Sequence, residues 1–508
     1  MSSLKSRTAN GLLWGALSGG LVQLVGALFG FWLIKLLSPS DYGKMAALVI
    51  FSNLASCLQE SGFTAALANK HEPRHEDYNA VFWFNIIVGV TLYVILFATA
   101  PLIARFYAEP VLVPLSRVAF LSFVVSSFGT AQRAYLFGHM RVRQNSISLL
   151  VATTVSGAAG VAMAYAGMAY WGLALQSVVY VSMVTLMSWH FSPWRPTLHI
   201  DLRPAWRMFG FSSKLLINSF ASQLNSNAFG VLLNRFFPDK GHTAGLYSNA
   251  RKWNDMAIVT ICGMVQGVAQ PMLVESSTTN SDSPPPAEGN NPLSIIHYPL
   301  IKAFRKLLRF TCFVSFPAML GLALIARDFV VVLLGEKWSA SVPLLQMLCI
   351  YGAFAPVVTL YSNLVISRGR STINMSIGLI NCVLVWGGLI TLHIMAARME
   401  LSRAVELYAM VVYYVILNVA WLIVWQAAAK RLIGLRWWHA LIDILPFWFF
   451  ALAVILAAWW LTHTWPLSVT RMLVRIVAAA TLYIGALWVA RARILRESIQ
   501  FIMHKKEC

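Results

Sequence analysis

Residues Leu12–Leu37 read LLWGALSGGLVQLVGALFGFWLIKLL, an apolar run whose only charged side chain is Lys35. A helix of about 20 mostly apolar residues crosses roughly 30 Å of hydrocarbon, so this stretch can span a bilayer with residues to spare. Lys5 and Arg7 precede it as they would the core of a signal peptide. The run is too long for a cleaved core and lacks a convincing small-residue cleavage site, so it reads as a retained first span.

Thirteen similar runs follow, beginning near Met45, Ala80, Leu112, Ile147, Trp171, Phe211, Leu246, Phe310, Val342, Thr372, Val405, Leu441 and Met472. They predict an all-α integral membrane protein of about 14 transmembrane helices. The composition agrees: 58% hydrophobic, 11% charged, mean hydropathy +0.67. Such values exclude an ordinary soluble domain, and the short loops leave no room for a large catalytic one.

The net charge is +20. In a soluble chain that would raise nucleic acid as a partner. Here the charge is spread over short loops, so orientation in the membrane and contact with anionic lipid explain it, and no nucleic-acid partner is expected. With the N-terminus in the cytoplasm, the larger share of the 39 Lys and Arg falls on the cytoplasmic side. The basic tail (Arg491, Arg493, Arg496, Lys505, Lys506) places the C-terminus there too. Five of the six cysteines lie within apolar runs and no CxxC pair occurs, so neither a disulfide framework nor a metal site is expected.

The chain repeats itself. Val113-Pro114-Leu115 recurs as Val342-Pro343-Leu344, and at the same offset Arg141 matches Arg370 and Asn145 matches Asn374. Upstream, Ala104-Arg105-Phe106 is echoed by Ala326-Arg327-Asp328-Phe329. The expected organisation is two six-helix lobes, 1–200 and 201–430, around a central cleft, with two more helices and a basic tail in 431–508. Lobes with an even number of spans share one orientation and can rock against each other, the geometry of alternating access. The Pro- and Ser-rich stretch 275–298 reads as a flexible cytoplasmic loop. After it, Lys302, Arg305, Lys306 and Arg309 recur at helical spacing, as on a segment lying against the anionic inner leaflet.

Polar groups within the runs are costly and mark candidate pathways. Glu60 is the one acidic group of the second run and a candidate for coupling to protons or sodium, or else a solvated helix-end carboxylate. The seventh run carries Gln223, Asn227 and Asn234, which suit sugar hydroxyls or interhelical hydrogen bonds. In the eighth, Arg251 and Asp255 are four apart and can pair, with Lys252 pointing elsewhere. Arg251 can hold a pyrophosphate bidentately, Asp255 is a second coupling candidate, and a water-exposed ion pair is the plainer alternative. Arg133, in the fourth run, can meet an anionic head group or snorkel to the interface. No Walker A, GxSxG or HExxH motif is present, so no catalytic residues and no cofactor are assigned and the chain is not read as an enzyme.

The sequence resembles the polysaccharide transporter family, the Wzx-type flippases of the multidrug/oligosaccharidyl-lipid/polysaccharide exporter superfamily. Its nearest likeness is to the exopolysaccharide, colanic-acid and teichuronic-acid branch. The resemblance rests on Leu37-Ser38-Pro39-Ser40-Asp41-Tyr42-Gly43, on Ser127 through Arg143, and on Gly172-Leu173-Ala174-Leu175-Gln176 and Trp194-Arg195-Pro196. Gly245-Leu246-Tyr247-Ser248 and Leu334-Gly335-Glu336-Lys337-Trp338 complete it. It implies fourteen helices and transfer of an undecaprenyl-pyrophosphate-linked oligosaccharide across the bacterial inner membrane, with a polysaccharide polymerase as a candidate partner. Three alternatives stay open: a cation-coupled drug antiporter on the same fold, a lipid II flippase, and an integral-membrane polymerase or glycosyltransferase.

Overall fold

The computed structural model describes residues 2–60, 67, 73–139, 141–278, 298–368 and 370–489. Side chains are not described at 2–18, 60, 206–215, 217, 218, 267–278, 298, 299 and 371. Most of the 275–298 loop therefore lies outside the described residues. Nearly everything described is helical, as hydrocarbon requires of backbone groups that have no water to bond. By contact the chain gathers into two compact units, Met1–Ser248 and Asn249–Cys508.

The first unit contains α1 (Ser2–Leu36), α2 (Pro39–Glu60), α3 (His75–Tyr107), three short helices α4 (Leu112–Ala119), α5 (Leu121–Ser127) and α6 (Thr130–Gly138), then α7 (Val142–Tyr165), α8 (Ala169–Phe191) and α9 (Arg203–Phe236). It also takes in the start of α10 (His242–Thr278). α1 packs along α7, α7 along α8, and α9 against α2 and α3. That last contact gathers residues 203–236 with the first unit, whereas the sequence offset groups them with the second repeat.

The motif at 37–43 starts α2. Ser38 and Asp41 cap it: the Ser38 N–H and hydroxyl both donate to Asp41 Oδ2, at 2.9 and 2.6 Å, and Pro39 opens the first turn. A Cβ at Gly43 would collide with the Gly241 carbonyl, and one at Gly245 with the Pro39 carbonyl. Two backbones thus meet with nothing between them, which accounts for both glycine-bearing motifs. The Trp194 segment is a strap over α3: Asn79 donates to the His199 carbonyl and accepts from Thr197 N–H, while Trp194 is buried against Tyr78 and Phe82.

The second unit holds the rest of α10, α11 (Tyr298–Arg327), a π-helical turn (Asp328–Leu334), a short 3-10 turn (Glu336–Trp338), α12 (Ser341–Ser367), α13 (Ser371–Arg398), α14 (Arg403–Ala420), α15 (Leu422–Ile433), α16 (Trp437–Thr462) and α17 (Val469–Val489). Gly335 joins the two turns at φ +108°, a backbone that other residues rarely adopt, and Trp338 is fully buried beside it. Two buried carboxylates fasten the last two helices to α11. Asp443 of α16 takes Arg305 Nε at 2.6 Å and Arg309 Nε at 3.2 Å. Asp328 lies between Arg471 Nε and Arg475 NH1 of α17, each at 2.7 Å. The basic face expected to lie on lipid is therefore divided: Lys302 and Lys306 are exposed, and the two arginines turn inward to Asp443.

Among the described residues, ten helices are long and apolar enough to cross a membrane, or eleven if the bent pair Leu112–Ser127 and Thr130–Gly138 counts as one. α2, α9 and α10 correspond to the second, seventh and eighth apolar runs and are helices of 22, 34 and 37 residues. None of the three is among those ten; α2 and α9 are interrupted by amides along their length, and the side chains of α10 are described only up to residue 266.

Candidate functional site

The polar groups of the first unit form two clusters on α9. On the first, Asn227 donates to the Gln223 carbonyl at 2.8 Å and to its Oε1 at 3.3 Å, and accepts from Asn53 Nδ2 of α2 at 3.3 Å. These amides thus bridge two helices, and all three remain only part-buried. Asn234 lies two turns further on. It is 7% exposed, bonds the Gly230 carbonyl at 3.1 Å, and lines a cavity of about 280 Å³ with Lys44, Tyr107, Glu109 and Lys240. The Lys44 ammonium there sits 4.4 Å from the centre of the Tyr170 ring. Sequence reading singled out Asn234 and missed its charged neighbours, because they come from helix ends far apart in the chain.

Arg133 is half-buried on α6, with its guanidinium 3.1 Å from Ser126 Oγ and 3.5 Å from Thr130 Oγ1. It sits one turn past a 47° bend that closes at Gly129, against Thr185 of α8. Carbonyls at the bend are taken up by side chains of α8: Trp189 Nε1 donates to Phe128 O at 2.7 Å and Thr185 Oγ1 to Val125 O at 3.3 Å.

In the second unit Arg251 Nε meets Asp255 Oδ2 at 3.1 Å, the i, i+4 pair expected from the spacing. The arginine side chain is 26% exposed and the aspartate 46%, so the pair retains access to a polar ligand. Lys252 points away from it, with its ammonium 5.6 Å from the Trp253 ring centre. Tyr247, one turn earlier, is 2% exposed and stacked on Phe229, a packing role within the first unit. Glu60 ends α2, and its side chain lies outside the described residues.

Four buried carboxylates escaped sequence reading: Asp77, Asp328, Asp443 and Glu406. Asp328 and Asp443 stand inside apolar runs, which is the signal that would have found them. Glu406 stands near a helix start, where an acidic residue is ordinary.

The sequence profile of a family described as polysaccharide biosynthesis protein matches residues 32–283 and 297–343, more than half of the chain. Teichuronic acid biosynthesis protein TuaB of Bacillus subtilis (strain 168) is 23% identical over 376 residues, 73% of each chain. Lipopolysaccharide biosynthesis protein WzxC of Escherichia coli (strain K12) is 25% identical over 378 residues, 73% of this chain and 72% of that one. Among solved structures, the lipid II flippase MurJ in an inward closed conformation superposes with a TM-score of 0.73 at 12% identity. That superposition covers 95% of this chain and all of MurJ, a likeness of fold.

Proposed function

The chain belongs to the family of polysaccharide biosynthesis proteins, and from that premise we propose that it is a flippase for undecaprenyl-pyrophosphate-linked oligosaccharide repeat units. It is a multi-pass membrane transporter rather than an enzyme, in keeping with its relatives and its MurJ-like fold. The observation that carries the reading is the placement of polar groups. Three helices of an otherwise strongly apolar bundle hold amides, cations and a carboxylate, and if they cross the membrane only a polar cargo or a watered path repays those groups.

In this reading α2, α9 and α10 also cross, which makes fourteen spans in the bacterial inner membrane with both termini cytoplasmic. The lobes 1–200 and 201–430 alternate access, and 431–508 supplies the two extra helices and the tail. Arg251, Lys252 and Arg133 attract the pyrophosphate, and Gln223, Asn227 and Asn234 contact sugar. The polyprenyl tail stays in lipid. Glu60 or Asp255 couples the cycle to protons or sodium, and a polysaccharide polymerase consumes the delivered units.

Arg251→Ala tests the anion role. Losing one charge-assisted hydrogen bond of roughly 1.5–3 kcal/mol lowers export at least about tenfold, with normal membrane abundance because the pair is part-exposed. Export is read by extracting lipid-linked sugars and asking with a periplasmic lectin or enzyme which leaflet holds them. Wild-type export by the variant removes Arg251 from the site. In cells lacking the protein, repeat units that reach the outer face but stay unpolymerised overturn the flippase reading in favour of a later step.

A further inference from the structure

Five carboxylates are buried among the described residues: Asp41, Asp77, Asp328, Glu406 and Asp443. Two of them cap helices and two meet guanidinium groups. Asp41 and Asp77 accept main-chain N–H groups at helix starts, at 2.9 Å from Ser38 and from Arg74. Asp328 and Asp443 each lie between two arginines, and guanidinium keeps its proton at any pH a cell meets. Glu406 differs. Its Oε1 is 2.6 Å from His393 Nδ1, and imidazole is the side chain whose charge ordinarily changes between about pH 5 and 8.

The surroundings make that change consequential. The Glu406 side chain is 6% exposed and that of His393 30%, so the carboxylate is shielded and the imidazole reaches the edge. Arg403 NH1 stands 3.8 Å from the other carboxylate oxygen, but its side chain is 66% exposed. Arg398 and Glu400 are exposed in and beside the 399–402 connection, and Tyr408 is half-buried on α14. α12, which packs against both α13 and α14, carries no Asp, Glu, Lys, Arg or His from Ser341 to Ser367. Lys430 and Arg431 lie at the far end of α15. Loss of the proton shared by His393 and Glu406 therefore leaves a shielded carboxylate beside the exposed Arg403. A conformation that opens this hairpin to water is favoured when the proton leaves, and one that closes it when the proton returns.

We propose that His393 and Glu406 form a proton-binding pair that couples transport to proton movement. This rests on the flippase reading above, in whose topology the 399–402 connection faces the outside, where protons enter. It adds a proton-binding centre to those proposed at Glu60 or Asp255.

The test uses cells lacking this protein, complemented with the full chain, across media from about pH 5.5 to 8. The readouts are membrane abundance, surface polysaccharide and the leaflet holding lipid-linked units. Wild-type export varies several-fold over this range. His393→Lys keeps a cation beside Glu406 and so preserves any structural clamp, yet export falls at least about tenfold and its pH dependence flattens. Glu406→Gln does the same. Wild-type level and pH profile in His393→Lys would overturn the pair while leaving the flippase reading intact. If the wild type fails to move trapped units to the outer leaflet, the flippase reading falls instead. A transport-independent measurement then decides the pair: nitrogen NMR of histidine-labelled full-length protein in nanodiscs. The resonance lost in His393→Gln titrates in this range and is displaced by Glu406→Gln; its failure to titrate overturns the proposal.

Discussion

Residues 112–138 and 341–367 are equivalent under the repeat offset that takes Val113 to Val342, and they have different shapes. The second is one helix, α12, continuous in spite of Pro356. The first is three short helices with a 47° bend, and it contains no proline beyond Pro114. Proline is therefore not what breaks it. α8 does, by offering Trp189 and Thr185 as donors to the carbonyls of Phe128 and Val125, so that broken helix costs no unpaired groups there. The approach to each segment differs as well. Ala104-Arg105-Phe106 closes α3, but its echo carries one residue more, Asp328, at the start of a π-helical turn, a common mark of a single inserted residue. That extra residue is the one on which Arg471 and Arg475 converge. Residues 112–138 carry a bend beside Arg133, whereas Asp328, just before 341–367, forms a socket for the last helix.

The comparison can be broken first at the socket. Asp328→Ala strands two buried arginines and lowers stability by about 3–5 kcal/mol, seen as an earlier thermal unfolding midpoint of the detergent-solubilised protein. Replacing Asp328, Arg471 and Arg475 together with apolar residues restores most of that loss, since the pairing rather than the charge is what the packing needs. Exchanging residues between the repeats sharpens the bend. Gly129→Val imports the residue of position 358 and drives a Cβ to within 2.9 Å of Thr185 Oγ1, a cost of about 1–3 kcal/mol with loss of export. The reverse exchange, Val358→Gly, costs about 1 kcal/mol, the helix-interior penalty alone, and leaves export near wild type. Trp189→Phe, which removes one donor from Phe128 O, has the smallest effect, about 0.5 kcal/mol in the same unfolding assay.

Much of this architecture was legible because hydrocarbon imposes one rule on every span, and apolar runs announce it. The i, i+4 pair of Arg251 and Asp255 was legible for the same reason: helical spacing fixes neighbours four residues apart. What the sequence hid were partnerships across the fold. Arg305 and Arg309 looked like lipid-facing charges because Asp443 stands more than a hundred residues away. The Glu406–His393 pair spans a helical hairpin, and its two residues are unremarkable until α13 and α14 are laid side by side. The bend at Gly129 was hidden because its cause lies on α8.

The polar side chains of α2 and α9 bear on how the protein is made. A nascent segment leaves the insertion channel sideways when it prefers lipid to water, and the amides of α2 and α9 narrow that margin. α9 finds its amide partner on α2, and α10 begins against the backbone of the same helix. Biogenesis then acquires an order: the first hundred-odd residues must be seated before the seventh and eighth spans can enter, and damage at Gly43 or Asn53 surfaces as misrouted chain downstream, long before any sugar is offered.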